Sequence, residues 1–319
     1  MRKKIALIGG GNIGGTLAYI IASKELGDVV ILDRNKEYAA GKALDIEESL
    51  PVMKKDVSLI GTDDYADIKD SDLVIITAGV ARKPGMSRDD LLSVNAEVIK
   101  TVAEGVKKYC PNAFVIVITN PLDAIVYAFL KYSGFSRNKV VGMAGVLDSA
   151  RFRLFLAREL NTSVQDITSF VLGGHGDTMV PLMRYTNVGG VPLLDLIKRG
   201  MISSDKVQEI IQRTRSGGAE IVKLLKSGSA YYAPATSAIK MAESYLNNNK
   251  ELFPCSVYLE GEYGLSDTCM GVPAFIGANG VEDIIQIDFD NEEKAVFDQS
   301  AEAVNSLISA MKKILTKLT

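Results

Sequence analysis

Between the apolar run Lys4–Ile8 and a helical stretch that begins near Ile13 lie six residues, Gly9-Gly10-Gly11-Asn12-Ile13-Gly14, with glycine at the first, third and sixth positions. Set directly after a strand and opening a helix, this spacing restricts the chain to a βαβ unit of a doubly wound sheet. The reason is backbone chemistry. Gly9 permits the tight turn, Gly11 lets the main chain approach a pyrophosphate, and Gly14 lets the helix pack on the strand. The helix N-terminus then offers unpaired N–H groups and a favourable dipole. Asp33 closes the second predicted strand 19 residues after Gly14, near the spacing of about 20 at which an acidic residue accepts hydrogen bonds from an adenosine ribose. A carboxylate there repels a 2′-phosphate, so the expected cofactor is NAD rather than NADP. Neighbouring Arg34 reads as a solvated surface arginine.

The rest of the first half keeps the same rhythm. Strands are predicted at Lys4–Ile8, Asp28–Asp33, Val57–Gly61, Leu73–Thr77, Ala113–Thr119 and Lys139–Gly142, with helices over 13–24, 36–48, 89–108 and 121–132. Short β-branched runs alternating with longer helical patterns are the mark of parallel strands covered on both faces. After about Gly145 the pattern changes to long helices mixed with runs such as Ser256–Leu259 and Ala274–Gly277. The expected class is therefore α/β: a doubly wound, mainly parallel Rossmann sheet over residues 1–145, followed by a mixed α+β substrate and catalytic domain over 146–319. Near the end Val304, Leu307, Ile308, Met311 and Leu315 step by three or four, an apolar stripe that is core or subunit contact.

Composition narrows the function. With 319 residues, 47% hydrophobic and a formal charge of −3, the chain can bury a sizeable core and lacks the basic footprint of a nucleic-acid binder. Its three cysteines, Cys110, Cys255 and Cys269, are far apart and include no CxxC pair, which fits neither a disulfide scaffold nor a zinc site. No metal is expected. The apolar runs fall short of the roughly 18 residues read as a membrane span, and Ile5–Ile8 is too short for a signal-peptide core. A cytoplasmic protein with a small-molecule partner and no membrane or nucleic-acid contact is the expectation.

Several segments carry chemistry-bearing side chains. Residues 80–88, Val-Ala-Arg-Lys-Pro-Gly-Met-Ser-Arg, link a strand to a helix through Pro-Gly and read as a mobile loop holding Arg82 and Arg88. Ile118-Thr119-Asn120-Pro121 brings an amide to the carboxyl edge of the sheet, where helix capping is the plainer alternative. Asp148 and Arg151 stand at i and i+3, which on a helix gives a shared face and, most simply, an ion pair. The only histidine of the chain, His175, lies in Gly173-Gly174-His175-Gly176-Asp177. A ring flanked by glycines at a strand end is sterically open, which favours acid–base chemistry over a structural role.

Taken in order, Gly9 to Gly14, Asp33, residues 41–45 (Gly-Lys-Ala-Leu-Asp), Arg82 to Arg88, 118–121, Leu147-Asp148-Ser149-Ala150-Arg151 and Gly174-His175-Gly176-Asp177 resemble the lactate/malate dehydrogenase family, most of all its lactate-dehydrogenase-like malate dehydrogenases. The resemblance spans essentially the whole chain. It implies that His175 accepts the proton of a 2-hydroxyl while hydride passes to the nicotinamide, and that Asp148 orients it. It further implies that Arg151 grips the C1 carboxylate, Arg88 polarises the developing carbonyl, and Asn120 bonds that oxygen or positions the nicotinamide. Gly9, Gly10, Gly11, Asn12, Ile13, Gly14, Asp33, Asn95, Ile118, Thr119 and Asn120 match positions around NAD. Arg82 stands where lactate dehydrogenases resemble glutamine, and Ala230 where they resemble threonine. Both imply a four-carbon dicarboxylate, malate or oxaloacetate, and thus a reaction of the tricarboxylic acid cycle. The resemblance also implies a homo-oligomer, usually a tetramer, with a dimer as alternative.

Overall fold

The computed structural model describes residues 2–80 and 88–318, Arg88 by its main chain alone. In chain order the elements of the first half are β1 (Lys4–Ile8), α1 (Asn12–Ser23), β2 (Asp28–Leu32), α2 (Lys36–Met53), β3 (Leu59–Thr62), β4 (Leu73–Ile76), α3 (Arg88–Tyr109), β5 (Phe114–Val117), α4 (Leu122–Ser133) and β6 (Val140–Gly142). The second half contains α5 (Gly145–Leu160), β7 (Ile167–Leu172), β8 (Val180–Val188), β9 (Val191–Pro192), α6 (Leu193–Lys198), α7 (Ser204–Arg215), α8 (Gly217–Leu225), α9 (Tyr232–Asn247), β10 (Glu251–Glu260), β11 (Ser266–Gly277), β12 (Gly280–Ile284) and α10 (Asn291–Leu318).

The first six strands form the parallel order β3-β2-β1-β4-β5-β6. Ile5, Ala6 and Leu7 are all fully buried. Such a strand has no solvent face, which is why β1 reads as a continuous apolar run and not as an alternating one. Helix α1 turns Leu17, Ala18 and Ile21 inward. Helix α2 runs past the predicted end at residue 48 to Met53, tolerating Pro51 in its last turn, and stops at Lys54 in the left-handed conformation.

The α+β half is not a separate sheet. Strands β10, β11 and β12 extend the first sheet antiparallel to nine strands, joining at β6 through the single pair Ser256↔Gly142. A side chain on Gly142 would stand 2.9 Å from Ser256 Cβ and 2.7 Å from Val126, so glycine allows the two halves to meet. A smaller sheet, β7-β8-β9, lies beyond. Reciprocal main-chain bonds between Gly173 and Gly271 (2.8 and 3.1 Å) pin the end of β7 to β11. The C-terminal stripe is core: Val304, Leu307, Ile308 and Met311 on α10 belong to one buried cluster with Ile99 of α3 and Phe129 of α4. No helix of the described residues is long and apolar enough to cross a membrane.

Candidate active site

The glycine-rich turn leaves β1 at its carboxyl end. Gly9 has φ +112°, and a Cβ there would meet Thr77 Oγ1 at 2.6 Å. On Gly14 a Cβ would lie 1.9 Å from the Gly9 carbonyl oxygen, the close helix-on-strand approach expected of the motif. Gly11 differs: its added Cβ meets no atom of the described residues within 4 Å. Gly11 also lines a cleft of about 540 Å³ with Gly9, Asp33, Thr77 and Gly79, so its missing side chain is room for a ligand. Gly11 caps α1 without a side-chain hydrogen bond, and no acidic residue stands in the first turn, leaving N–H donors for an anion.

Asp33, just past β2, accepts from the main-chain N–H groups of Gly10 (2.7 Å) and Asn35 (3.0 Å). Both oxygens are thereby oriented at the rim of the cleft, each with a lone pair to spare. Asn12 lies on a neighbouring depression with Lys42 and Tyr232. Asn95 is buried and fully committed to protein: it accepts from Val80 N–H (2.8 Å) and donates to the carbonyls of Val80 (3.2 Å) and Asn120 (2.7 Å). It ties two loops at the carboxyl edge together. Thr119 likewise donates to the Ala78 carbonyl (2.7 Å).

An adjoining cavity of about 340 Å³ gathers Ile13, Ile118, Asn120, Arg151 and His175. Helix α5 carries Asp148 and Arg151 one turn apart, and the Gly173–Gly271 pairing holds His175 against them. His175 Nδ1 lies 2.8 Å from Asp148 Oδ2, and Arg151 donates to Asp148 Oδ1 at 3.2 Å. Asp148 is almost wholly buried, so this carboxylate holds the Arg151 guanidinium and the His175 ring with little solvent screening. Burial works against an imidazolium, but the Asp148 charge and hydrogen bond outweigh it and hold His175 above its ordinary 6.5. With Nδ1 engaged, Nε2 is the ring nitrogen left for a substrate. Arg151 Nε is buried with no hydrogen-bond partner among the described residues, a donor of the kind a bound carboxylate satisfies.

Two residues at this site were not singled out by sequence. Asp123 accepts the His175 main-chain N–H (3.0 Å) and the Ser256 hydroxyl (2.7 Å), and burial pushes its carboxyl above its ordinary range. Its position three residues beyond Asn120 was the available signal. Arg215, at the end of α7, also lines the cavity; nothing in its local sequence marks it. Arg82 and the rest of 81–87 lie outside the described residues, as does the Arg88 side chain.

Two family models match: lactate/malate dehydrogenase, NAD binding domain, over residues 3–142, and lactate/malate dehydrogenase, alpha/beta C-terminal domain, over 145–316. Among solved structures, a Cryptosporidium parvum malate dehydrogenase is 48% identical, with TM-score 0.96, covering 98% of this chain and 100% of that one. A Cryptosporidium parvum lactate dehydrogenase, complexed with lactic acid and nicotinamide adenine dinucleotide, is also 48% identical (TM-score 0.95, 98% of each chain). The apo malate dehydrogenase of Picrophilus torridus is 44% identical over the full length of both chains, with TM-score 0.95.

Proposed function

The chain belongs to the lactate/malate dehydrogenase family of NAD-dependent oxidoreductases, and from that premise we propose that it interconverts (S)-malate and oxaloacetate. The observation that carries the chemistry is the Asp148–His175 pair beside Arg151, whose Nε has no partner among the described residues, in one cavity. NAD, whose pyrophosphate fits the open space at Gly11 and whose ribose fits Asp33, supplies the hydride acceptor or donor when bound. His175 Nε2 takes the proton of the 2-hydroxyl in oxidation and returns it in reduction. Asp148 fixes the tautomer through Nδ1 and stabilises the imidazolium. Arg151 holds the C1 carboxylate through its planar fork, a geometry lysine lacks. Asn120 bonds the reacting oxygen, and Arg88 polarises it.

The choice of malate over lactate rests on Arg82, which matches the second carboxylate of a dicarboxylate, and on Ala230, a small residue on the cavity wall. Equal identity to a malate and a lactate dehydrogenase keeps a lactate or broad 2-hydroxyacid dehydrogenase as the second reading. We read residues 1–145 as the dinucleotide-binding unit and 146–319 as the unit that supplies the proton-transfer residues. The reading extends to a cytoplasmic homotetramer, or a homodimer. Unpaired buried cysteines support a reducing compartment.

The test is NADH oxidation with oxaloacetate and with pyruvate for the wild type, His175→Asn and Arg82→Gln, with NADPH as alternative reductant. Oxaloacetate and NADH are the expected pair, His175→Asn is inactive, and Arg82→Gln loses oxaloacetate selectively. A wild type that prefers pyruvate refutes the malate reading.

A further inference from the structure

The cavity holds a cation that the chemistry above leaves unused. Arg215 lines it together with Arg151 and His175. Its Nε donates to the Met179 main-chain carbonyl at 3.0 Å, which fixes the guanidinium plane at the wall. Among the described residues no carboxylate forms an ion pair with it. Asp177 lines the same cavity but is exposed and makes no such pair. Arg213, two positions earlier, shows the contrast: it is exposed and joined to Glu220 at 2.7 Å. Arg184 and Arg137 likewise have glutamate partners, at 2.9 and 2.8 Å. Arg215 alone of these four is half-buried with no counter-charge, an arrangement that costs stability until an anion arrives. Burial, unopposed by any acidic neighbour, pulls its pKa below the ordinary arginine range.

Local geometry ties this cation to the substrate arginine. Beyond Arg215 the chain bends at Ser216 into α8, and a Cβ on Gly217 would lie 3.0 Å from Arg151 Cδ and 3.3 Å from its Nε. The α7–α8 bend thus packs on the stem of Arg151 while presenting Arg215 to the same cavity. Arg151 is compensated internally by Asp148; Arg215 is not.

We propose that Arg215 is a specificity-determining residue, adding from the fixed wall a positive charge that favours a substrate with two carboxylates over one with a single carboxylate. The proposal rests on reading this cavity as the substrate site of a malate dehydrogenase. A monocarboxylate such as pyruvate satisfies Arg151 and leaves Arg215 desolvated and unmatched, whereas oxaloacetate brings the second charge. Sites built for a polar group discriminate strongly against analogues that lack it.

The experiment compares kcat/KM for oxaloacetate and for pyruvate in the wild type, Arg215→Gln and Arg215→Lys, with NADH affinity followed by its fluorescence. The oxaloacetate-to-pyruvate ratio falls by about tenfold or more in Arg215→Gln, the loss expected of one hydrogen bond to a charged group. Arg215→Lys keeps the ratio within about threefold of wild type, since the charge survives. Losses that strike both substrates equally indicate packing through Met179 and overturn the proposal, as does a lysine variant no better than glutamine. A wild type that prefers oxaloacetate with an unmoved ratio in Arg215→Gln refutes the role of Arg215 alone. A wild type that prefers pyruvate refutes the malate reading and this inference with it.

Discussion

Replacing Asp148 by asparagine keeps the shape of the site and removes one charge. In the wild type the carboxylate lies 2.8 Å from His175 Nδ1 and is only 2% exposed. Two unit charges with centres about 4 Å apart interact by about 4 kcal/mol at an effective dielectric constant of about 20. The dipole of the new amide recovers part of this, leaving about 2–3 kcal/mol, or about 30- to 150-fold in rate. Arg151 acts in the same direction, because it then faces the imidazolium with no anion between them. Oxaloacetate reduction needs protonated His175, so kcat/KM for reduction falls as pH rises through a pKa held above 6.5. In Asp148→Asn that limb moves to lower pH. The loss is therefore deeper at pH 8 than at pH 6. Steady-state reduction across pH 5.5–9, with single-turnover measurements to isolate chemistry, reads both effects. NADH affinity is the control and stays unchanged, since Asp148 does not line the dinucleotide cleft. A loss below threefold at pH 8, or an unmoved limb, refutes the assignment of His175 and Asp148 as the proton-transfer pair.

Two glycines of one motif separate ligand room from packing. Gly11→Ala, with no atom of the described residues within 4 Å of its Cβ, keeps the melting temperature of the apo protein within about 1 °C but weakens NADH binding about tenfold or more, measured by NADH fluorescence. Gly14→Ala, aimed at the Gly9 carbonyl from 1.9 Å, costs about 1–3 kcal/mol or more and lowers the melting temperature by several degrees. Equal behaviour of the two variants contradicts the reading. Asp123→Asn removes a charge that helps raise the His175 pKa, so the reduction limb again moves to lower pH, with a smaller rate loss than in Asp148→Asn. Ser256→Ala leaves that limb in place and costs about 1 kcal/mol in urea unfolding, the worth of one hydrogen bond.

The parallel half of the fold was legible because most of its strands are short buried apolar runs separated by longer helical stretches. Strand ends were not: the predicted run Ala113–Thr119 is a strand only over Phe114–Val117, since the residues that follow leave the ladder to reach the cleft. Local sequence could not show that β10 to β12 would join the first sheet, because one glycine opposite one serine makes that junction. The same limit applies at the site. Gly-rich turns and the Asp148–Arg151 spacing can be read in order along the chain. Asp123 looks like any acidic residue in the first turn of a helix, and Arg215 like the basic residue that commonly ends one. Only folding shows that one sits beneath the histidine and the other beside the substrate arginine.

The junction at Gly142 and Ser256 also bears on how the molecule can be divided. A fragment ending at residue 145 would keep the whole dinucleotide cleft, yet it would present Val140–Gly142 as a bare edge strand, with the apolar side chains once covered by β11 and α10 exposed around it. Open edges of this kind recruit other chains. Transplanting the cofactor half onto another catalytic partner therefore calls for more than a matching linker: the incoming chain has to bring a strand of its own to close that edge, with a small residue where Ser256 stands.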